Sequence, residues 1–249
     1  MGETAQVVLI DHAQDSLRAL DVAARLSIPL CEHVPDSARF VMQLDDDGLS
    51  IQPNQPDAPA PLRAEFVAGK AAWRRGQGEL IVKAVNIRGR APVSVLDATA
   101  GLGRDGFVLA SHGFAVTLLE RDPIVHALLA DGIDRAQAHD ATREIAASIS
   151  LYQADLLTWE PDSDEKPDVI YLDPMFPQRR KSAKIKKEMA LLQDLLREPS
   201  DERMLLERAR QLANTKVVVK RPLKAEPLAG TKPSSQLRGR STRFDVYPV

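Results

Sequence analysis

The chain has 249 residues, of which 44% are apolar and 27% charged, with a formal net charge of -2; this composition suits one large globular domain, or one domain with a smaller appendage. No stretch approaches the roughly eighteen consecutive apolar residues of a membrane helix, and the opening MGETAQVVLIDHAQD lacks the basic-then-apolar order of a secretory signal. A lone cysteine, Cys31, excludes an internal disulfide and any multi-cysteine zinc site, and the cytoplasm is the expected compartment.

Residues 6–10 (QVVLI) and 39–44 (RFVMQL) read as short strands. Between them DSLRALDVAARLSI has helical spacing, with Leu17, Leu20, Ala24 and Ile28 on one stripe. DDDG at 45–48 is a turn before LSIQ, and PNQPDAPAP at 53–61 holds four prolines in nine residues, which neither a helix nor a central strand tolerates. These features predict a small α/β appendage over residues 1–75, tied to a main domain over 76–249. In that domain QGELIVKAVNI reads as helix, VSVLDA as strand, GRDGFVLASHG as a helix closing at Gly113, and FAVTLLE as strand. DPIVHALLADGIDRAQAH is helical, with Gly132 as a candidate interruption. SISLYQAD and DVIYLD are strands, KKEMALLQDLL and DERMLLERARQLA helices, and TKVVVKRP and RFDVYPV the last strands. Strands alternating with helices predict a parallel, doubly wound sheet.

The first strand of the main domain runs into LDATAGLGRDGF, where Gly101, Gly103 and Gly106 spell G-x-G-x-x-G, the dinucleotide fingerprint. Taken alone it suggests a nicotinamide-dependent oxidoreductase. However, Asp97-Ala98-Thr99-Ala100 intervenes between strand and glycine, so a carboxylate stands beside the ligand space. That suits an ammonium or sulfonium ligand better than a pyrophosphate, and D-x-x-x-G-x-G is the pattern of S-adenosylmethionine methyltransferases. The glycines admit close approach of the ligand's amino-acid portion, and Glu120 is placed to accept hydrogen bonds from ribose hydroxyls. Asp155 is placed for an adenine amino group. The competing structural roles are close packing for Gly103 and helix capping for Asp97. Four acidic strand ends, at Asp97, Glu120, Asp155 and Asp173, favour a cofactor site, because all would project from the carboxyl edge of one parallel sheet.

The stretch Asp173-Pro174-Met175-Phe176 closes an apolar strand. It resembles the [D/N]-P-P-[F/Y] corner of enzymes that methylate exocyclic amino groups of bases. An aromatic amine is a poor nucleophile, because its lone pair is delocalised into the ring. The Asp173 carboxylate and the Pro174 carbonyl can both accept from the amine and orient it, and Phe176 offers a stacking surface for a flipped base. In isolation Asp-Pro is a plain turn; its place after a buried strand and the glycine loop argues for chemistry. At once a basic run follows: Arg179, Arg180, Lys181, Lys184, Lys186 and Lys187 fall within nine residues. Residues 179–249 carry 18 basic against 8 acidic residues, on a chain otherwise acidic. A polyanion on one face is the reading, with Lys220, Arg221, Arg238, Arg240 and Arg243 extending that surface. With only 4% aromatics, binding of a structured RNA by shape and charge is expected rather than extended base stacking.

DATAGLGRDGFVLAS, LLERDP, YLDPMFPQRRKSAKIKKEM and VVVKRP, in this order, resemble the bacterial ribosomal RNA small subunit methyltransferase J family. The resemblance runs from about Gly76 to the C-terminus and more weakly over the appendage. It implies an α/β, Rossmann-like class I methyltransferase fold with a mostly parallel sheet and an antiparallel last strand. It also implies transfer of a methyl group from S-adenosylmethionine to the N2 amino group of a guanine in 16S ribosomal RNA, guanine 1516 in the family. The partner is then the RNA or the 30S subunit, with no membrane, no metal and an oligomeric state left open. Cofactor contacts are implied at Arg104, Asp105, Glu120, Arg121, Asp155, Leu156 and Asp173; those at Arg104, Arg121 and Leu156 rest on the resemblance alone. An adenine-N6 methyltransferase acting on DNA or RNA, and a non-catalytic RNA-binding protein, remain as alternatives.

Overall fold

The computed structural model describes residues 7–68, 79–91, 93–161, 166–174 and 201–249. Met175, Phe176, the basic run at 179–187 and the helix expected at 186–196 lie outside the described residues.

Two sheets organise the chain. The first contains β1 (Val7–Asp11), β2 (Leu30–Cys31), β3 (Phe40–Asp45) and β4 (Gly48–Pro53), in the order β2-β1-β3-β4. β1 and β3 are parallel, with α1 (Ser16–Leu26) in the crossover, and β3 returns through the acidic turn into antiparallel β4. Beyond the proline-rich stretch, Leu62 rejoins β4 by an isolated bridge to Ile51.

The apolar stripe expected on α1 is not its buried face. Ala19, Val22 and Ala23 are buried, whereas Leu17 is 83% and Leu20 55% exposed. Ala19, Val22, Ala23 and Leu26 have the same i, i+3, i+4, i+7 spacing, so periodicity alone did not choose between the two stripes. Small residues let the helix lie close to the sheet, and an ion pair from Arg18 to buried Asp131 fixes its rotation.

The second sheet contains β5 (Ser94–Asp97), β6 (Ala115–Leu119), β7 (Ile149–Tyr152), β8 (Val169–Leu172), β9 (Lys216–Pro222), β10 (Ser235–Arg238) and β11 (Thr242–Pro248). Its order is β10-β11-β9-β8-β5-β6-β7. β7, β6, β5, β8 and β9 run parallel, and β11 inserts antiparallel beside β9, as expected for the last strand. β10 was not foreseen, since SQLR is short, polar and only half-buried at the sheet edge.

Among the described residues the helices are α1, α2 (Leu80–Val85), α3 (Arg104–Ser111), α4 (Pro123–Ala138), α5 (Arg143–Ala147) and α6 (Glu202–Leu212). α4 starts well: the Asp122 carboxylate accepts from the amides of Ile124 and Val125, and Pro123 occupies the first turn. Gly132 does not interrupt it. A Cβ there would meet the Ala64 Cβ at 2.7 Å and the Ala64 carbonyl oxygen at 2.9 Å, so the glycine admits the strand-following segment against the helix.

One apolar cluster spans both sheets, running from Leu9, Met42 and Ile51 through Ala64 and Phe66 to Phe107, Leu118 and Leu129. Phe66 stacks on Phe107 of α3 at 4.4 Å between ring centroids. The segment after the N-terminal sheet thereby reaches the helix that follows the glycine loop, while β4 itself packs against α4. On the other face of the second sheet, α6 buries Leu205, Leu206, Ala209 and Leu212 against Ile170, Leu172, Val217 and Val219. Among the described residues, no helix is long and apolar enough to cross a membrane.

Candidate active site

β5 stands where the strand order reverses, with β6 on one side and β8 on the other. Open α/β sheets bind ligands outside the carboxyl ends of the strands at such a point. Asp97 ends β5, Glu120 follows β6, Asp155 lies three residues beyond β7 and Asp173 follows β8. The structure therefore brings all four acidic strand ends to one edge.

Two backbone crossings shape the glycine loop: the Ala98 amide donates to the Tyr171 carbonyl and the Ala100 amide to that of Leu119. Gly101 and Gly103 both take positive φ, 54° and 69°. Their reasons differ. A Cβ on Gly103 would sit 2.5 Å from Leu129 Cδ1 and 3.1 Å from Phe66 Cζ, so Gly103 serves close packing. A Cβ on Gly101 would meet nothing within 4 Å, so Gly101 leaves open space at the ligand edge. Gly106 serves packing as well, since its Cβ would lie 2.4 Å from Leu118 Cδ2, a position no real side chain shares.

Glu120 is buried, and both of its oxygens are already oriented. Oε2 accepts from the Gly101 amide at 2.9 Å and Oε1 from the Asp122 amide at 2.8 Å. Burial raises its carboxyl pKa, with those two hydrogen bonds opposing. Asp97 is 2% exposed, and burial followed by the nearby Asp105 charge holds its carboxyl well above the usual range. A buried carboxylate pressed by another carboxylate is relieved by a cation. The open space at Gly101, beside a buried carboxyl that a cation would return to its charged form, fits the amino-acid end of S-adenosylmethionine.

Asp155 accepts from the Leu157 amide and pairs with Arg121 at 3.4 Å. Leu156 is buried in the apolar layer under α6, so only its backbone is available at the edge. Arg104 opens α3 beside the loop.

At the end of β8 the Asp173 amide donates to Thr99 Oγ1 at 2.7 Å, which ties the Asp-Pro corner to the glycine loop. Pro174 is the last described residue of that corner. Asp105 does not point at an open ligand edge alone: its Oδ2 accepts from the Tyr171 hydroxyl at 2.8 Å and from Lys220 Nζ at 2.6 Å. Lys220 Nζ also lies 2.7 Å from Asp173 Oδ2.

This revises part of the expected RNA surface. Lys220 is committed to two carboxylates at the corner, and the side chains of Arg221 and Arg243 are each only 5% exposed. Arg221 donates to the Glu226 carbonyl and Arg243 is held by Asp245. They point inward because β9 and β11 are central strands, covered on both faces. Arg238 and Arg240 are exposed, at the β10–β11 turn on the same edge as the corner. Lys220 follows VVV in a buried strand, and its ammonium turns to the carboxylates at the corner. Thr99 and Tyr171 were missed as partners because only the strand pairing places them beside Asp173 and Asp105.

A parallel sheet of this order, with a glycine loop after its central strand and acidic strand ends around it, defines a Rossmann-like class I methyltransferase that uses S-adenosylmethionine. The family model described as "Putative SAM-dependent methyltransferase" matches residues 23–249. A ribosomal RNA small subunit methyltransferase J from Thioalkalivibrio sulfidiphilus is 46% identical over 248 residues, covering 96% of this chain and 97% of its own. The protein of that name from Marinobacter nauticus is 48% identical over 216 residues, covering 84% of this chain and 78% of its own. A crystal structure of a SAM-dependent methyltransferase from Neisseria gonorrhoeae superposes with a TM-score of 0.77 at 39% identity, over 97% of this chain and 95% of that one. The chain belongs to the ribosomal RNA small subunit methyltransferase J family.

Proposed function

We propose that this protein methylates the exocyclic N2 amino group of a guanine in 16S ribosomal RNA, the family's guanine 1516. The observation that carries the reading is the Asp173-Pro174 corner, tied through Thr99 to the glycine loop, in a chain 46–48% identical to proteins named ribosomal RNA small subunit methyltransferase J. The choice of guanine N2 is supported by the family resemblance of the Asp-Pro-Met-Phe-Pro motif.

In this reading Asp97 and the loop at Gly101 hold the amino-acid end of S-adenosylmethionine, Glu120 the ribose hydroxyls and Asp155 the adenine edge. When bound, the cofactor supplies a sulfonium methyl group: a carbon–nitrogen bond forms as the methyl–sulfur bond breaks, and the electron pair stays on sulfur. The Asp173 carboxylate and the Pro174 carbonyl accept hydrogen bonds from the amino group and aim its lone pair. Asp173 then receives the surplus proton from nitrogen. Phe176 is the proposed stacking surface for a flipped guanine. The basic residues at 179–187, with exposed Arg238 and Arg240, are the proposed phosphate contacts.

The test uses small subunits from a strain lacking the gene, purified protein and methyl-labelled cofactor, with the RNA digested to nucleosides. Label in N2-methylguanosine that is lost with Asp173→Ala supports the proposal. Label in N6-methyladenosine would retain the corner's chemistry and reject the base. No transfer to subunits, free RNA or DNA, with cofactor binding intact, would point to a binding protein.

A further inference from the structure

β9 lies parallel to β8 with Leu172 opposite Val219. The next residue on each strand, Asp173 and Lys220, therefore emerge together at the ligand edge. The Lys220 ammonium bridges Asp173 Oδ2 at 2.7 Å and Asp105 Oδ2 at 2.6 Å, and the Tyr171 hydroxyl donates to the same Asp105 oxygen at 2.8 Å. Asp105 comes from the first turn of α3, Tyr171 from β8 and Lys220 from β9. Three elements thus meet on one carboxylate, and Lys220 links that anchor to the Asp-Pro corner.

We infer that Lys220 is a positioning residue for methyl transfer: it holds Asp173 Oδ2 against the Asp105–Tyr171 anchor and keeps Asp173 a carboxylate, so that Oδ1 accepts from the substrate amine. This rests on the methyl-transfer reading proposed above. A protonated Asp173 would donate a hydrogen bond where the amine also donates, and the lone pair would lose its alignment.

The charges around Asp173 show why a cation is needed. Burial raises its carboxyl pKa, and Asp105 adds to that rise; Lys220, the larger charge effect, and Arg221 oppose it. Asp97 also faces this group, since the Asp173 charge contributes to raising Asp97 in turn. The corner therefore holds three carboxylates from β5, α3 and the end of β8, with Lys220 bound directly between two of them. Burial works to discharge Lys220, but Asp173 and Asp105 outweigh it and hold the ammonium above the ordinary lysine value. The cation lowers the basicity of Asp173, at no cost to the final proton transfer. A guanine N2 that has become a methylated ammonium has lost its conjugation with the electron-poor ring and is a far stronger acid than a carboxylic acid, so even a weak base accepts its proton.

The experiment compares the full-length wild type with Lys220→Met, Lys220→Gln and Lys220→Arg in single-turnover transfer to small subunits across pH. It is paired with carbon-detected NMR titration of Asp173 in cofactor-free protein, assigned with Asp173→Asn. Both neutral variants are expected to move the acid limb of the rate profile and the Asp173 titration upward by at least about one pH unit. At the acid end this reads as a loss of about tenfold in rate, recovered at high pH. Lys220→Arg, which keeps the charge, is expected to return both toward the wild-type position. A uniform loss at every pH with an unmoved Asp173 titration would overturn the inference. So would a weaker RNA affinity and smaller salt slope with an unchanged pH profile, which would make Lys220 a phosphate contact. Asp173→Ala, run alongside, separates the two levels. Full activity there overturns the methyl-transfer reading itself. An inactive Asp173→Ala with an unshifted Lys220→Met overturns only the role of the lysine.

Discussion

The Gly101 amide donates to Glu120 Oε2 across 2.9 Å, joining the glycine loop after β5 to the carboxylate after β6. That hydrogen bond links the loop's shape to the direction of the carboxylate that the ribose hydroxyls would meet, with the Asp122 amide holding the other oxygen. Glu120→Gln replaces one carboxylate oxygen with an NH2 group, and a backbone amide, Gly101 or Asp122, then faces a donor. The ribose hydroxyls would also meet a neutral amide in place of a carboxylate, and one hydrogen bond to a charged group lost there, worth about 1.5–3 kcal/mol, would lower cofactor affinity roughly 10- to 150-fold. Isothermal titration with S-adenosylhomocysteine measures it; an affinity within about threefold of wild type would remove Glu120 from the site.

With Asp97 in the proposed cofactor site, cofactor affinity and fold stability are expected to respond to pH in opposite senses. Burial and the Asp105 charge raise its folded-state pKa, so its protonated form is favoured in the cofactor-free fold. Its contribution to stability is thus fully present below the unfolded pKa and is lost as pH rises through the folded one. In the proposed site, binding of the cofactor's cationic end needs the carboxylate, so affinity is expected to rise over the same interval. Asp97→Asn is expected to melt higher than wild type at neutral pH, with the gap closing in acid, and to bind cofactor weakly without that pH dependence. Thermal melts and titrations between about pH 4 and 8 test both arms.

Gly132 tests the packing between the two sheets. Alanine is the better helix former by about 1 kcal/mol. Its Cβ would nevertheless sit under 3 Å from both Cβ and carbonyl oxygen of Ala64, atoms that cannot rotate away. Overpacking of this kind costs up to roughly 3 kcal/mol, so Gly132→Ala is expected to lose about 2 kcal/mol overall. A denaturant midpoint equal to or above wild type would show that the Ala64 segment moves freely.

The arginines of the C-terminal hairpin divide by role. Arg243 makes a two-pronged contact with Asp245 at 2.8 and 3.1 Å, both side chains almost fully buried. Arg243→Ala leaves the buried Asp245 without its paired cation, with the Gln236 amide still donating to it, and is expected to cost about 3 kcal/mol, read by chemical denaturation. Arg238→Ala with Arg240→Ala should leave stability within about 0.5 kcal/mol. That pair should instead reduce the slope of log affinity against log salt for RNA by roughly 0.7–0.9 per phosphate contact removed. An unchanged slope would take the hairpin turn out of the RNA surface.

Much of the second sheet could be read in advance from local pattern. Runs such as VVVK, VIYL and AVTLL are β-branched and apolar, and glycines or proline-capped helix starts separate them, so strand identity and parallel order follow from residue type and spacing. The acidic ends of four strands were legible for the same reason: a charge just after an apolar run marks where the strand reaches the edge of the sheet. Which stripe of α1 is buried was not legible, because Leu17–Leu20–Ala24 and Ala19–Val22–Ala23–Leu26 obey one periodicity. The choice came from the close approach of α1 to β1 and the Arg18–Asp131 pair.

By itself, then, the sequence determined the fold class, the loop and the corner, because strand pattern, turn residues and acidic strand ends are local properties. Only the tertiary structure decided what each charged or glycine side chain does there. Gly101 and Gly103 share a motif, yet one leaves open space and the other admits Leu129 and Phe66. Lys220 and Arg238 share a sign, yet one is locked between carboxylates and the other is exposed. The physical reason is that charge and volume act through space, over a few ångströms, between residues that the chain separates by dozens of positions and that only strand pairing brings together.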